Sequence, residues 1–230
     1  MRVRFITPEK LPINRNISPI VRGELENALC RMRTPVWPII DTFAKGGIKR
    51  PPFDVPQAWM NHTLRHLLLD MDYNDEVNPF AGSRPNTMEV RSVGKKKNQA
   101  IDFEKNIEGG NRHVIEVECG NVASIFRSIH KLCMAIRESR NTTAILVVPS
   151  KELISRCDVF SSMSSSHNAK IVLSEFVYYC EEAKMIHIVE FSSDIECNLK
   201  NLVDDNNFWR GNWSNEMEDY LRNNLNQFLR

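Results

Sequence analysis

Asp102–Arg137 reads DFEKNIEGGNRHVIEVECGNVASIFRSIHKLCMAIR, and its interpretation decides what the remainder of the chain can be. Asp102 to Asn111 has the composition of an acidic turn. His113–Glu118 has the alternation of a strand, which puts Glu116 and Glu118 on one face because side chains repeat with period two. Gly120-Asn121 makes a corner. From Val122 to Glu138 the apolar residues Val122, Ile125, Phe126, Ile129, Leu132, Cys133 and Ile136 recur at helical spacing. Thr143–Val148 (TAILVV) follows as a continuous apolar run, the pattern of a strand buried on both faces. Strand, helix and parallel strand in that order predict a right-handed crossover.

The same stretch carries the chemistry. With Asp102 folded back beside Glu116 and Glu118, three carboxylates converge at a strand end, a set of hard oxygen donors suited to Mg2+. The helix start beyond them offers free backbone N–H groups to a phosphate. Carboxylates, metal and phosphate together imply phosphodiester chemistry. Taken alone, Glu-x-Glu on a strand is usually a solvent-facing pair. Asp102 upstream and a Gly-Asn corner opening a helix raise it above that.

Outward from this centre, Ile20–Met32 is predicted as a helix with Ser18 as N-cap and Pro19 at its first position. Thr34–Pro38 (TPVWP) ends it, and Met1–Ser18 before it reads as irregular. Asp41–Pro56 is a basic loop and Pro56–Tyr73 a second helix. His62 and His66 stand four apart on that helix, a metal-compatible spacing. Without the Glu of the zinc-protease motif they read as exposed helical histidines. Asn74–Pro85 reads as loop, and Met88–Val93 as a strand leading to the basic run Lys95-Lys96-Lys97. That run is either a solvated hairpin tip or a phosphate contact bordering Asp102. Pro149–Cys157 is a short helix, Ser161–Ser166 a polar loop, and Lys170–Tyr179 with Met185–Phe191 a hairpin. The Asn-rich segment 198–230 reads as an arm or an appended helix from Asn215, with Glu218 as its capping partner. It either packs on the body or orders on DNA; 1–230 is otherwise read as a single domain.

Composition bounds these readings. The 230 residues are 42% hydrophobic and 26% charged with net charge +1, ordinary for a globular domain. A uniformly basic surface is excluded, so any nucleic-acid contact must be a local patch. Six scattered cysteines form no Cys-x-x-Cys pair, which argues against a zinc cage. Nothing approaches the ~20 apolar residues that span a bilayer, and no apolar signal segment follows Met1, so a cytoplasmic setting is expected.

Ile115–Lys131 (IEVECGNVASIFRSIHK) resembles the active-site strand and following helix of BamHI-type type II restriction endonucleases, which show E-x-E-T-G-N-I-S-S-x-x-R-x-x-N-K. Thr34–Pro38, Lys95–Lys97, Ile101-Asp102 and Ala144–Leu153 extend the likeness over roughly 20–175. The resemblance implies an α/β fold, a PD-(D/E)xK core with a mixed central sheet flanked by helices, that cuts double-stranded DNA as a homodimer with Mg2+. Asp102 and Glu116 take the metal, and Asp102, Glu116 and Glu118 are catalytic, with Glu118 as general base or second-metal ligand. Many related nucleases carry Lys at that third position. Asn121 and Arg127 match base-reading positions, while the family's Ser is Ala123 here. Arg156 and Asp158 are the nearest counterparts of the residues that read outer base pairs. A palindrome with a GATC-like core and different outer pairs is the implied target. The helix after the catalytic strand and the short helix after the next one are the implied dimer contacts. The alternatives are a PD-(D/E)xK nuclease of DNA repair or modified DNA, and a non-catalytic DNA-binding protein.

Overall fold

The structure is a computed structural model, and it describes residues 2–9, 11–12, 15–38, 53–54, 57–77, 90–92, 95–97, 100–120, 122–155, 165–192, 196–198, 201–203, 205, 208 and 213–230. Its centre is a six-stranded mixed sheet. In chain order the strands are β1 (Arg2–Ile6), β4 (Asn74–Val77), β7 (Ile101–Ile107), β8 (Asn111–Val117), β9 (Thr142–Pro149) and β10 (Ile186–Ser192), and in space β1-β10-β9-β8-β7-β4. The central pairs β8–β9 and β9–β10 are parallel; the flanking pairs are antiparallel. Two small sheets complete the strands: β2 (Thr34–Pro38) between β11 (Glu196–Asn198) and β3 (Phe53–Asp54), and β5 (Val90–Ser92) with β6 (Lys95–Lys97).

Helices cover both faces of the main sheet, which is why β9 is buried along its whole length. One face packs α1 (Pro19–Arg31) and α2 (Gln57–Leu69) through Leu25, Leu29, Leu64 and Leu68 onto Ile115, Val117, Ile145 and Val189. The other packs α3 (Val122–Glu138) and α5 (Ser166–Phe176) through Ile125, Ile129, Leu132 and Val172 onto Val114, Leu146 and Ile188. The apolar stripe of α3 is thus committed to the chain's own core; Phe126, 40% exposed, stands outside it. A short α4 (Lys151–Ser155) follows β9, where Ser150 Oγ accepts from Leu153 N. The predicted N-cap of α1 is present: Val21 N donates to Ser18 Oγ.

Several expectations are overturned. Residues 101–107 form a strand, because Ile101, Phe103 and Ile107 alternate with polar residues, and Gly109 and Gly110, both at positive φ, make the turn. Arg2–Ile6 and Asn74–Val77, read as irregular and as loop, are the two edge strands. Val3 and Phe5 pack on the core, while Asn74–Val77 has only partly buried residues on one side, a weak signal. Lys95–Lys97 is one strand of a hairpin, paired with Val90–Ser92. Thr34–Pro38 ends α1 as expected, but as a strand.

The largest difference lies at Lys170–Tyr179, of which Lys170–Phe176 belongs to helix α5 and 177–179 to the turn that follows it. Its β-branched and aromatic residues suggest a strand, yet Ser165 caps Asn168 N, and Ala169 and Val172 fall on one buried helical face. No hairpin can then form. β10 instead enters through a 3-10 turn at Glu181–Met185 and lies parallel to β9.

The C-terminal segment packs on the body. Helix α6 (Asn215–Asn223) buries Met217 and Leu221 in a satellite core with Trp59 of α2, Cys197 and Phe228. Trp59 stacks on Phe228 at 5.6 Å and meets Trp213 edge-on at 4.7 Å. The cap is Ser214, accepting from Met217 N, and not Glu218. Glu218 is held elsewhere: its carboxylate takes the Trp213 indole N–H at 3.0 Å and meets His62 Nδ1 and His66 Nε2 at 2.9 Å each. The two histidines are therefore partly buried partners of an acid, against the exposed setting expected of them. Among the described residues no helix is long and apolar enough to cross a membrane.

Candidate active site

The β7–β8 hairpin decides the geometry. Its register pairs Phe103 with Ile115, so Asp102 and Glu116 face one another where the regular ladder stops. There the side chains take over the bonding. Val117 N donates to Asp102 Oδ2 at 2.8 Å, and Asp102 N donates to Glu116 Oε1 at 3.2 Å. Each carboxylate is thus fixed on the neighbouring strand's backbone, and the two strand ends are locked as one unit.

Glu116 shares a sheet face with Val114 and Leu146, the face covered by α3. Ser128 and Lys131, three residues apart on that helix, therefore reach it. Lys131 Nζ lies 2.6 Å from Glu116 Oε2 and donates to the Ala100 carbonyl at 2.8 Å. Sequence reasoning gave Lys131 no role. Its signals were its place on the side of α3 shared with Ser128 and its match to the last residue of the family pattern, although a lysine in a helix ordinarily points to solvent. Glu118 continues past the strand, its N–H on the Val147 carbonyl. Its Oε1 accepts from Gly120 N at 2.8 Å and its Oε2 from Ser128 Oγ at 3.3 Å. Glu118 thereby closes the corner that launches α3.

Burial dominates the electrostatics. Glu116, 2% exposed, is pushed up to about 8, first by burial and then by the charge of Asp102, against the pull of Lys131 and Ser128. Asp102 is raised by burial too, with Glu118 adding to the rise, while Lys131, the Val117 N–H and Arg127 act against it. Two neighbouring acids held above their ordinary range mark a site that gains from an added cation.

The predicted residues fall into three groups. Asp102, Glu116 and Glu118 come together at one strand end. They do not form a ready cage: among the described residues no three His, Cys, Asp or Glu side chains are gathered closely enough to hold a metal ion. The reason is local, because Glu116 turns to Lys131 and Glu118 to its own corner. What remains suits a cation that uses one or two carboxylates and completes its shell with water and phosphate, as Mg2+ does. Ala123 and Arg127 lie exposed on the first turns of α3, and Arg127 is close enough to act on Asp102. Lys95, Lys96 and Lys97 sit on β6, just before β7. Asn121, Arg156 and Asp158 lie outside the described residues. Asp102 also borders a cleft of about 110 Å³, lined with Phe103, Asp75, Glu76 and the α2 residues Asn61, His62 and Arg65.

Comparison with known proteins places the segment that carries these residues. Residues 71–158 match the family model described as restriction endonuclease BamHI. That segment contains β7, β8, α3 and β9, hence Asp102, Glu116, Glu118 and Lys131. Among solved structures, the restriction endonuclease BglII complexed with a DNA 16-mer superposes with a TM-score of 0.55 at 14% identity, covering 85% of this chain and 80% of that one. Free BglII gives 0.48 at 12% identity, covering 84% and 81%. No curated protein matches. The chain therefore has a restriction-endonuclease-like α/β fold, and its site segment is BamHI-like.

Proposed function

We propose that this BamHI-like chain is a type II restriction endonuclease, which cuts both strands of a short palindromic DNA site with Mg2+ as a homodimer. The interlocked pair Asp102–Glu116 at the open end of the β7–β8 hairpin, inside the BamHI-like segment, carries the reading. Both side chains offer hard oxygens, and both are held above their ordinary range first by burial and then by a neighbouring acid. Asp102 and Glu116 would hold the ion. When bound, it would neutralise the scissile phosphate, activate a water and stabilise the leaving oxygen.

The chain's own residues supply the rest. Glu118, once released from Gly120 N and Ser128, can accept a proton from the attacking water. Arg127 projects from the exposed side of α3, where a guanidinium can take a guanine edge. Asn121 is a residue type that suits an adenine, and Ala123 offers a methyl in place of a hydroxyl, which favours a target related to, but distinct from, the family's familiar one. Lys95, Lys96 and Lys97 place charge just before β7, where a phosphate backbone could run. Arg156 and Asp158 are the proposed outer-pair readers beyond α4. A near-neutral chain fits contacts confined to this surface. A two-fold dimer matches the symmetry of a palindrome. Because the apolar stripe of α3 is already in the core, such a dimer must use the helix's exposed residues.

The test is direct. Purified protein with plasmid and Mg2+ should give discrete fragments with uniform ends sharing a GATC-like centre, and EDTA should abolish them. Smearing would identify a less specific nuclease, and an intact plasmid at all divalent cations would overturn the reading.

A further inference from the structure

The carboxylates account for the oxygens of the site but not for Lys131. Its side chain is only 8% exposed and that of Glu116 only 2%, so the pair is desolvated, and a buried ammonium needs a reason to be there. Its two partners supply one. The Ala100 carbonyl lies two residues before Asp102 on the chain entering β7; the Glu116 carboxylate is on β8. One ammonium, delivered by α3, thus ties together the two strand ends that carry the candidate ligands. Ser128, one turn earlier on the same helix, does the same for Glu118. The ammonium also sets a fixed positive charge against Glu116, which lowers the negative charge that a second cation would need.

We propose that Lys131 is a positioning residue, a built-in counter-ion that aims the Glu116 carboxylate and limits the site to a single divalent cation. This rests on Asp102 and Glu116 being metal ligands, and its first readout, metal binding, does not depend on cleavage.

The probe is Mn2+, titrated into the free full-length protein and followed by its electron paramagnetic resonance signal. Wild type takes one equivalent. Lys131→Met, which removes the charge a few ångströms from the ion, binds Mn2+ about 10–100-fold more tightly or takes a second equivalent. It also cuts cognate DNA about 100-fold more slowly in single turnover, because Glu116 is no longer aimed. Lys131→Arg, which keeps the charge, restores wild-type affinity and stoichiometry. A purely structural lysine predicts a variant that binds Mn2+ equally or more weakly, and that result overturns the proposal, as does a Lys131→Met enzyme with undiminished cleavage. If Lys131→Met does not fold, Lys131→Gln, which retains a donor for Ala100, takes its place. Failure of both variants to fold overturns the proposal too, since the lysine then serves the fold. Should wild type not cut DNA under any condition, the nuclease reading falls while the Mn2+ titration still decides the role of Lys131.

Discussion

Glu116 and Glu218 are two partly or fully buried carboxylates with opposite settings. Glu218 has more partners than it needs. Burial pushes its carboxyl up, but the Trp213 indole and the two histidines His62 and His66 outweigh that and hold it below its ordinary value. Glu116 has donors in Lys131, Ser128 and the Asp102 N–H, but burial and the charge of Asp102 outweigh them and keep it near 8. The first arrangement is closed: the acid already has an indole N–H and two imidazoles against it, and its product is docking of α6 onto α2. The second is short of positive charge although its geometry is firmly fixed. A fold that keeps a rigid excess of negative charge at a sheet end is ready for a cation, and that distinguishes the functional corner from the structural one.

The contrast is open to attack by mutation. Glu116→Gln preserves shape and removes charge at the corner, and it should lower cleavage by ~10³-fold or more, equivalent to about 4 kcal/mol of lost transition-state stabilisation. Single-turnover kinetics with a circular-dichroism check of folding measures this. Retention of even a tenth of the activity would remove Glu116 from the chemistry. The corresponding blow to the docking region is Trp59→Ala. Trp59 is 1% exposed and central to the aromatic satellite core, so its loss should cost about 3–5 kcal/mol in urea denaturation. At a temperature where the variant is folded, single-turnover cleavage should be preserved.

How much of this was visible in the sequence follows the same divide. The strand at 111–117, helix α3 and the buried strand β9 are legible because each carries its own periodicity over seven or more residues. The acids are legible because Glu116 and Glu118 flank a strand end within a distinctive run. What escaped is what depends on distant partners. Lys131 looks like any surface lysine until β8 is placed under α3, and Glu218 looks like a capping residue until α2 is placed beside α6. Edge strands β1 and β4 escaped because only one side of each is covered. Helix α5 escaped for another reason: Ile171, Val172, Val177, Tyr178 and Tyr179 favour a strand locally, and packing against α3 overrides that preference. The exposure of Tyr178 and Tyr179, 86% and 89%, shows that those aromatics are not core residues.

A third test concerns the sheet's own buried base. His113, on the same strand as Glu116, accepts from Ser18 N through Nε2 at 3.1 Å, and burial, with His187 nearby, lowers it from 6.5 to about 4. The folded state therefore binds its proton less readily than the unfolded state. Its contribution is complete above pH 6.5 and falls as pH drops from 6.5 to about 4, by about 3 kcal/mol in all. Glu116, with its raised value, acts in the reverse direction over part of this range, so the comparison must cancel it. His113→Gln keeps an acceptor for Ser18 and removes the titration. The stability of wild type relative to this variant should shrink by about 3 kcal/mol between pH 7 and pH 4, measured by urea denaturation. A constant difference would mean that His113 titrates normally.

The smallest expected effect is the most discriminating. Glu218→Gln leaves Trp213 an acceptor but withdraws the charge that His62 and His66 share, and should cost about 1–2 kcal/mol of stability. Cleavage by the folded variant should equal that of wild type, the mirror image of Glu116→Gln. The two regions are nevertheless not remote, because His62 touches both: it pairs with Glu218 and lines the cleft that Asp102 borders. If Glu218→Gln also slowed single-turnover cleavage, with Mn2+ affinity unchanged, the docking of α6 would be setting the shape of that cleft, and the division between a closed structural corner and an open functional one would fail at His62.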